Sequence, residues 1–379
     1  MNIDKLPDDC LLHIFNLLNR FDTLLNCSKV CERWKVLVLE RLRNVSYLTD
    51  VYTKVDYPAG NTIIFKDDYR FEGIQVSEWF PKLKILAIYR NLDVNFVVNL
   101  KVKGLVLTSY SKSQLENVTF HDPSLEMLAI SHFCSFFANE IQGQMLKQLY
   151  ITGCNVSHFA RYAKYFPNLK RLHIDEFVRD PSEDTFYTGP VLEKLEILEI
   201  CFNAQIEPCD YYGFSLADHC PALKSAFHYI ETYREFFVDS GIKNHFLEDL
   251  VIDFREFQDW SVLRRILSKY PNLKHLAFRG GAEISDENIP ELLLLLPRVI
   301  FIDIRDSEQV TEKSTEYIDR YCRHHDRSIS FYYEERPEIT KKWPHLTAKD
   351  VCIGHGFDFM KYCFLRNYDD LPLLLDPDE

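Results

Sequence analysis

One short pattern, Leu-x-x-Leu-x-Ile, recurs along most of this chain and constrains its fold more than any other feature. The first residues of its ten copies are Leu83, Val102, Leu125, Leu146, Leu169, Leu195, Leu223, Leu247, Leu273 and Val299. Successive copies begin 19 to 28 residues apart, and the copy at Leu223 is degraded, with Ala226 and His228 in its apolar positions. A recurrence at this spacing, even with such drift, is typical of a repeat protein built from one small unit.

Each copy predicts a strand, and the residues between copies predict helices. The last three positions are predicted to alternate apolar, exposed and apolar, as in a half-buried strand. Helical stripes follow Asp259 and Asp286. One strand and one helix cannot bury their own faces, so we expect an α/β fold, a right-handed solenoid with a parallel β-sheet on its concave face and mainly helices on its convex face. Four leucines of the pattern should be fully buried, namely Leu172, Leu198, Leu250 and Leu276.

The array has less regular ends. Residues 45–48 and 62–65 read as degenerate strands, 311–325 as a helix and 329–333 as a last strand. The helix ends in the compact basic cluster Arg320, Arg323, His324, His325 and Arg327. This cluster is either a nucleic-acid or phosphate site or a set of cations at a helix C-terminus, and the second interpretation is favoured.

Residues 334–379 break the repeat but carry many apolar side chains: Phe357, Phe359, Met360, Tyr362, Phe364, Leu365, Leu371, Leu373, Leu374 and Leu375. We expect this extension to cap the open end of the solenoid; a regulatory flap is the alternative. The predicted domains are therefore residues 1–44, a solenoid over 45–333 that is clear from about residue 80, and the capping extension 334–379.

Composition excludes several classes of protein. A formal charge of −13 argues against nucleic acid as the main partner. The 11 cysteines include no Cys-x-x-Cys pair, so neither a disulfide framework nor a structural zinc site is expected. The acidic N-terminus does not fit a signal peptide, and the longest leucine run, 292–296, is too short for a membrane span. We therefore expect a cytoplasmic or nuclear protein that binds no membrane.

Enzyme signatures are missing from the sequence. There is no His-Glu-x-x-His motif and no phosphate-binding Gly-Lys pair, and the Gly354-His355-Gly356 run lacks the third glycine of a dinucleotide site. Cys27 and Cys31 fit buried packing better than a reactive role. The sequence predicts no catalytic residue, no metal and no cofactor.

Residues 1–44 are organised differently. Leu11, Ile14, Phe15 and Leu18 follow helical spacing. A second helix is predicted with Asp22 as its N-cap, and a third carries Val30, Trp34 and Val38 on one stripe. Three helices in about forty residues cannot bury so many apolar groups alone. The segment is either a helical cap on the next domain or a docking module for a partner.

Leu6-Pro7-Asp8-Asp9, Ile14-Phe15, Leu18, Leu24 and Val30-Cys31-Glu32-Arg33-Trp34 resemble the F-box motif in order and spacing. The resemblance implies docking onto the Skp adaptor of SCF-type cullin-RING ubiquitin ligases, and through it onto cullin. The positions implied in adaptor binding or in the bundle core are Leu6, Pro7, Leu11, Ile14, Phe15, Leu18, Leu24, Val30, Cys31 and Trp34. Cys10 departs mildly from the family pattern.

The repeats resemble the cysteine-containing leucine-rich repeats of F-box proteins, through Gly153-Cys154-Asn155, Cys201 and Ile284-Ser285-Asp286. Together the two resemblances imply a non-catalytic substrate receptor of a ubiquitin ligase. The alternative is an interaction scaffold in which the bundle is a cap or binds the adaptor outside a ligase. A leucine-rich enzyme is the remote third class.

A protein substrate is expected on the concave face, at positions that flank the second and third apolar residues of each copy. These positions hold aromatic groups among charges of both signs, as protein interfaces do. The predicted substrate-binding residues are Tyr150, Arg171, His173, Asp175, Phe227, Tyr229, Asp249, Asp253, His275, Arg279, Phe301, Asp303 and Arg305. The alternative is a solvated sheet on which Asp253, Arg279, Asp303 and Arg305 pair with one another.

Overall fold

The computed structural model describes residues 3–50, 61–65, 76–89, 101–108, 124–131, 143–178, 186–204, 210–232, 235–305, 307–334, 339–347 and 351–377. The chain divides into two compact units, an N-terminal unit of residues 1–146 with 349–353 and a C-terminal unit of residues 147–348 with 354–379. None of the helices within the described ranges is long and apolar enough to span a membrane.

The N-terminal unit begins with three helices, α1 (Asp8–Asn16), α2 (Phe21–Ser28) and α3 (Glu32–Arg43). The predicted three-helix unit is thereby confirmed. Phe15 on α1 packs edge-on against Trp34 on α3, with ring centroids 5.3 Å apart. The prediction that Asp22 is the N-cap of the second helix is wrong: Arg20 occupies that position, and Asp22 lies in the first turn, where it pairs with the Arg20 guanidinium at 3.1 Å.

A parallel sheet follows the bundle in the N-terminal unit. Its strands are β1 (Tyr47–Thr49), β2 (Thr62–Ile64), β3 (Ile85–Ala87), β4 (Gly104–Leu107) and β5 (Met127–Ile130), with α4 (Val76–Trp79) before β3. They lie in the order β2-β1-β3-β4-β5, so the two degenerate strands are confirmed. The buried Arg41 of α3 donates to the Thr62 carbonyl over 3.4 Å, and Phe21 packs against Phe80. The bundle therefore does pack on the strands that follow it.

The C-terminal unit holds eight parallel strands in sequence order: β6 (Gln148–Thr152), β7 (Arg171–Val178), β8 (Ile197–Ala204), β9 (Ser225–Thr232), β10 (Asp249–Gln258), β11 (His275–Ala282), β12 (Phe301–Asp303) and β13 (Ser330–Tyr332). Helices α5 (Val156–Tyr162), α6 (Gly213–Ala217), α7 (Trp260–Leu267), α8 (Ile289–Leu295) and α9 (Glu312–His325) lie between them. Leu172, Leu198, Leu250 and Leu276 are all 0% exposed, which confirms their prediction as core. The α/β repeat architecture is confirmed as well.

The helix boundaries follow from capping side chains. Asp259 caps α7 by accepting from the Ser261 and Val262 amides. Asp286 has a different role: its carboxylate accepts from Thr311 and Ser314 and so holds the first turn of α9. The last turn of α9 contains Arg323, His324 and His325, so these basic groups complement the carbonyl end of the helix.

Beyond β13, the extension forms α10 (Ile339–Lys342), β14 (Ile353–His355), α11 (Phe359–Tyr362) and β15 (Leu374–Asp376). Within the C-terminal unit, the Gly356 amide donates to the Asp376 carbonyl over 2.6 Å. The extension is therefore folded back on itself over the residues described.

The degraded repeat copy places a histidine in the core. His228 is 0% exposed, and its Nδ1 lies 2.5 Å from the Tyr211 hydroxyl. Burial lowers the pKa of His228 to about 3, because the charged imidazolium would lose its hydration. The copy thus remains compatible with the core only while this side chain is neutral.

We expect acid to destabilise the protein through His228. Below about pH 6.5 the unfolded chain protonates this imidazole and the folded chain does not, so stability should fall by about 1.4 kcal/mol per pH unit. Urea unfolding at pH 7, 6 and 5 should show this slope in the wild type and a shallower one in His228→Gln. The exposed His324→Gln is the matched control, and equal slopes in all three proteins would contradict the assignment.

Candidate functional site

The ten residues predicted for adaptor binding separate into three groups. Leu11, Phe15 and Leu24 are buried in the bundle and form its core. Four are half-buried, namely Leu6, Ile14, Leu18 and Trp34, and three are exposed, namely Pro7, Val30 and Cys31. The exposed group lies on the outside of the bundle.

One arginine brings the exposed segments together. The Arg33 Nη2 atom lies 2.6 Å from a carboxylate oxygen of Asp8 and donates to the Leu6 carbonyl over 2.6 Å. These contacts hold the beginning of α3 against the beginning of α1. Pro7, just before α1, and Val30, just before α3, therefore lie on neighbouring parts of the surface. We call Pro7, Cys10, Val30 and Cys31 the bundle surface.

Further apolar groups on the bundle were not predicted. Leu17 is 65% exposed and Val36 is 56% exposed. Leu17 directly follows α1, and neither residue lies on a helical stripe that the sequence singles out. Only their exposure identifies them, and that becomes visible only in the packed bundle.

In the C-terminal unit, the predicted substrate-binding residues occupy equivalent positions on neighbouring strands. The parallel register aligns Gln148, Arg171, Ser225, Asp249, His275 and Phe301 in one row. A second row contains Tyr150, His173, Glu199 and Phe227. Because side chains alternate along a strand, both rows lie on the face opposite the buried leucines. We call this the strand face.

The strand face is covered by the end of the chain. Residues 359–376, which we call the strap, contact β6, β7, β9 and β11 through the interactions described below, and β12 through Phe364, whose ring lies edge-on to Phe301 with centroids 5.2 Å apart. The sequence predicted a cap on the open end, whereas the described contacts of the strap are with the face of interior strands. Seven of the predicted binding residues contact the strap, namely Arg171, His173, Phe227, Tyr229, His275, Arg279 and Phe301. Among them Arg171 is 1% exposed and Phe227 is 0% exposed.

Main-chain groups of the strap are held by side chains of the strand face. Arg171 donates to the Pro372 carbonyl over 2.6 Å and to the Leu373 carbonyl over 3.3 Å. Gln148 accepts from the Leu375 amide over 2.9 Å and donates to its carbonyl. Arg279 donates to the Phe364 and Arg366 carbonyls. Three long side chains therefore fix the path of the strap.

A buried ion pair supports these contacts. Glu199 lies 2.7 Å from Arg171 and 3.1 Å from His173 Nδ1, and all three side chains are at most 2% exposed. Burial alone would raise the pKa of Glu199, but Arg171 and His173 outweigh it, and this pKa lies below its usual value. The carboxylate is therefore ionised and orients the imidazole, so that Nδ1–H donates to Glu199 and Nε2 faces the strap.

Other charges on the strand face pair locally. Asp249 accepts from Ser225 over 2.6 Å and lies 2.6 Å from His275 Nδ1. Of the four residues that the alternative interpretation pairs with one another, Asp303 and Arg305 lie 2.7 Å apart, whereas Arg279 donates to carbonyls of the strap. At Asp175, burial raises the pKa of the carboxyl group above its usual value. No arrangement of a nucleophile with a general base emerges from these contacts.

Two comparisons with known proteins bear on these surfaces. A family model described as the F-box domain matches residues 3–45, which contain α1, α2, α3 and the whole bundle surface. No curated protein matches the chain. The chain therefore carries an F-box domain at the end that presents the exposed Pro7, Val30 and Cys31.

Proposed function

We propose that this protein is the substrate-recognition subunit of an SCF-type cullin-RING ubiquitin ligase. In this role the bundle surface docks onto the Skp adaptor, and the C-terminal unit holds a protein substrate. Ubiquitin transfer belongs to other subunits, so no catalytic residue is assigned here. The observation that carries the proposal is the exposed apolar set at Pro7, Val30 and Cys31 on a bundle that already has a closed core.

Exposed apolar groups support this proposal because their contact with water costs free energy unless a partner covers them. Leu11, Phe15 and Leu24 already fill the interior of the bundle. Val30 remains 58% exposed and Pro7 is exposed as well, and exposed apolar groups that lie together mark interaction sites on soluble domains. Burial of such anchors at the centre of an interface contributes most of the binding energy.

The second candidate is a scaffold whose bundle serves mainly as a cap. The contacts of Arg41 with Thr62 and of Phe21 with Phe80 favour it, because they show the bundle packed on the first strands. A cap of this kind needs no exposed apolar surface on its outer side. The bundle surface therefore favours the receptor.

Substrate trapping tests the proposal. The full chain should be purified from cells with and without a block of cullin activation and of the proteasome. A receptor should recover a set of proteins that accumulates only under the block, and Pro7→Asp with Val30→Asp should stabilise the same set without it. Recovery of one constant set under all conditions would instead identify a scaffold.

A further inference from the structure

The strand face and its strap have the character of a binding site with its occupant. The leucine face of the same sheet is closed by the repeat helices, where Phe159, Leu263 and Leu292 are 0% exposed. This core is built from the repeats themselves. The strand face, in contrast, carries arginines and aromatic side chains, which are the residue types enriched at protein interfaces.

The strand face holds the strap mainly through main-chain carbonyl and amide groups of the strap, which any polypeptide possesses. The donors on Arg171 and Arg279 bind carbonyl oxygens, and Gln148 binds both the amide and the carbonyl of one residue. Main-chain hydrogen bonds supply affinity in peptide recognition, and side-chain pockets supply specificity. A different segment that followed the same path would meet the same donors.

One pocket of the strand face binds a side chain of the strap. The Tyr368 hydroxyl lies 2.5 Å from His173 Nε2, and its ring stacks on Tyr229 with centroids 5.3 Å apart and an interplanar angle of 22°. Phe227 contacts the same Tyr368 ring, with centroids 6.1 Å apart. Because Glu199 holds the proton on Nδ1, Nε2 accepts from the phenol. The pocket therefore selects an aromatic ring, and a tyrosine above others.

Apolar residues at fixed sequence distances from Tyr368 form the rest of the pattern that the strap presents. Leu371, Leu374 and Leu375, three, six and seven residues after Tyr368, are at most 6% exposed. The intervening Asp369 and Asp370 are exposed and contribute little to the fit. The strap thus presents a tyrosine at the start of a 3-10 helix, Tyr368–Asp370, followed by buried leucines at these three positions.

We propose that the strap occupies the substrate site in cis, and that a substrate binds by presenting a segment of this pattern, with its tyrosine at the start of a short 3-10 turn, in place of the strap. The inference rests on the proposed receptor function and names its substrate class. A tethered occupant competes at an effective concentration on the order of 1 mM. The strap therefore restricts access to segments that fit better or to conditions that release it.

A fluorescent peptide of residues 364–377 tests this exchange by anisotropy on the full chain. Tyr368→Ala in the chain weakens the strap and leaves the strand face intact. This variant should bind the peptide at least about 10-fold more tightly than the wild type does, because the competitor is weakened. A peptide that itself carries Tyr368→Ala should lose this binding, as should a chain with both Tyr229→Ala and Tyr368→Ala.

A folded Tyr368→Ala chain with no gain in peptide affinity would overturn the proposal. If this variant fails to fold, hydrogen exchange on the wild type decides. The Leu375 amide should exchange through a local opening, faster than the amides of β10, whereas equal protection would show that the strap never leaves. Adaptor binding is measured separately on the same chains, so failure of the exchange leaves the receptor function standing, and loss of adaptor binding would count against that function alone.

Discussion

Replacing Pro7 and Val30 together by Asp is expected to weaken binding of the Skp adaptor by about 100-fold or more. Each exposed anchor at an interface centre contributes roughly 2 kcal/mol or more, and a buried carboxylate adds a desolvation cost. The fold should tolerate both changes. Pro7 is the N-cap of α1, where Asp is a preferred residue, and Val30 is 58% exposed.

The matched control is Leu294→Asp, which introduces the same charge at a leucine that is 76% exposed on α8. Calorimetric titration of the purified adaptor should give wild-type affinity for the control and no measurable heat of binding for the double variant. An unchanged affinity of the double variant would place the adaptor on another surface of the protein.

Replacing Arg171 by Leu is expected to lower the free energy of unfolding by about 3–5 kcal/mol, because it leaves an uncompensated buried charge on Glu199. The Pro372 and Leu373 carbonyls lose their donor in the same variant. Without Arg171, burial would raise the pKa of Glu199, so the variant should regain stability on acidification below this raised pKa. Arg171→Leu with Glu199→Leu should recover much of the loss, since both charges are then absent.

The control for this experiment is an exposed ion pair of the same length. Arg264 and Glu291 lie 2.7 Å apart, with side chains 60% and 38% exposed, so Arg264→Leu should cost at most about 1 kcal/mol. Urea unfolding of the full chain compares the variants. A loss no greater than that of Arg264→Leu would show that Arg171 is not needed to neutralise Glu199.

The repeat architecture could be predicted because its signals are local. Leu250 and Leu276 occupy the same position in successive copies, and their burial follows from strand alternation alone. The bundle helices likewise follow from the spacing of Leu11, Ile14 and Phe15. In both cases a few neighbouring residues determine the outcome, so a single sequence contains enough information.

The covering of the strand face could not be predicted, because its contacts join residues far apart in the chain. Gln148 forms a hydrogen bond with Leu375, and His173 forms one with Tyr368. No periodic pattern relates the two members of each pair. The apolar content of the extension shows that it must be buried, but not where. Charged residues such as Arg171 and Arg279 read as solvent-exposed until the carbonyls that they bind are known.

The degraded repeat copy could be recognised from the sequence, but the partner of its histidine could not. His228 stands where the pattern has Ile, and the sequence alone indicates only a weakened copy. Its partner Tyr211 lies seventeen residues earlier in the chain, outside the Leu-x-x-Leu-x-Ile pattern. The pair preserves burial at the position while replacing an apolar contact with a hydrogen bond.

Mass photometry of the purified full chain mixed with purified Skp adaptor and cullin decides whether this protein joins a ubiquitin ligase. The receptor function predicts one complex that contains one copy of each protein, and it predicts that Pro7→Asp with Val30→Asp abolishes this complex while Leu294→Asp preserves it. A chain that stays separate from the adaptor–cullin pair, or that binds the adaptor but excludes cullin, would contradict it.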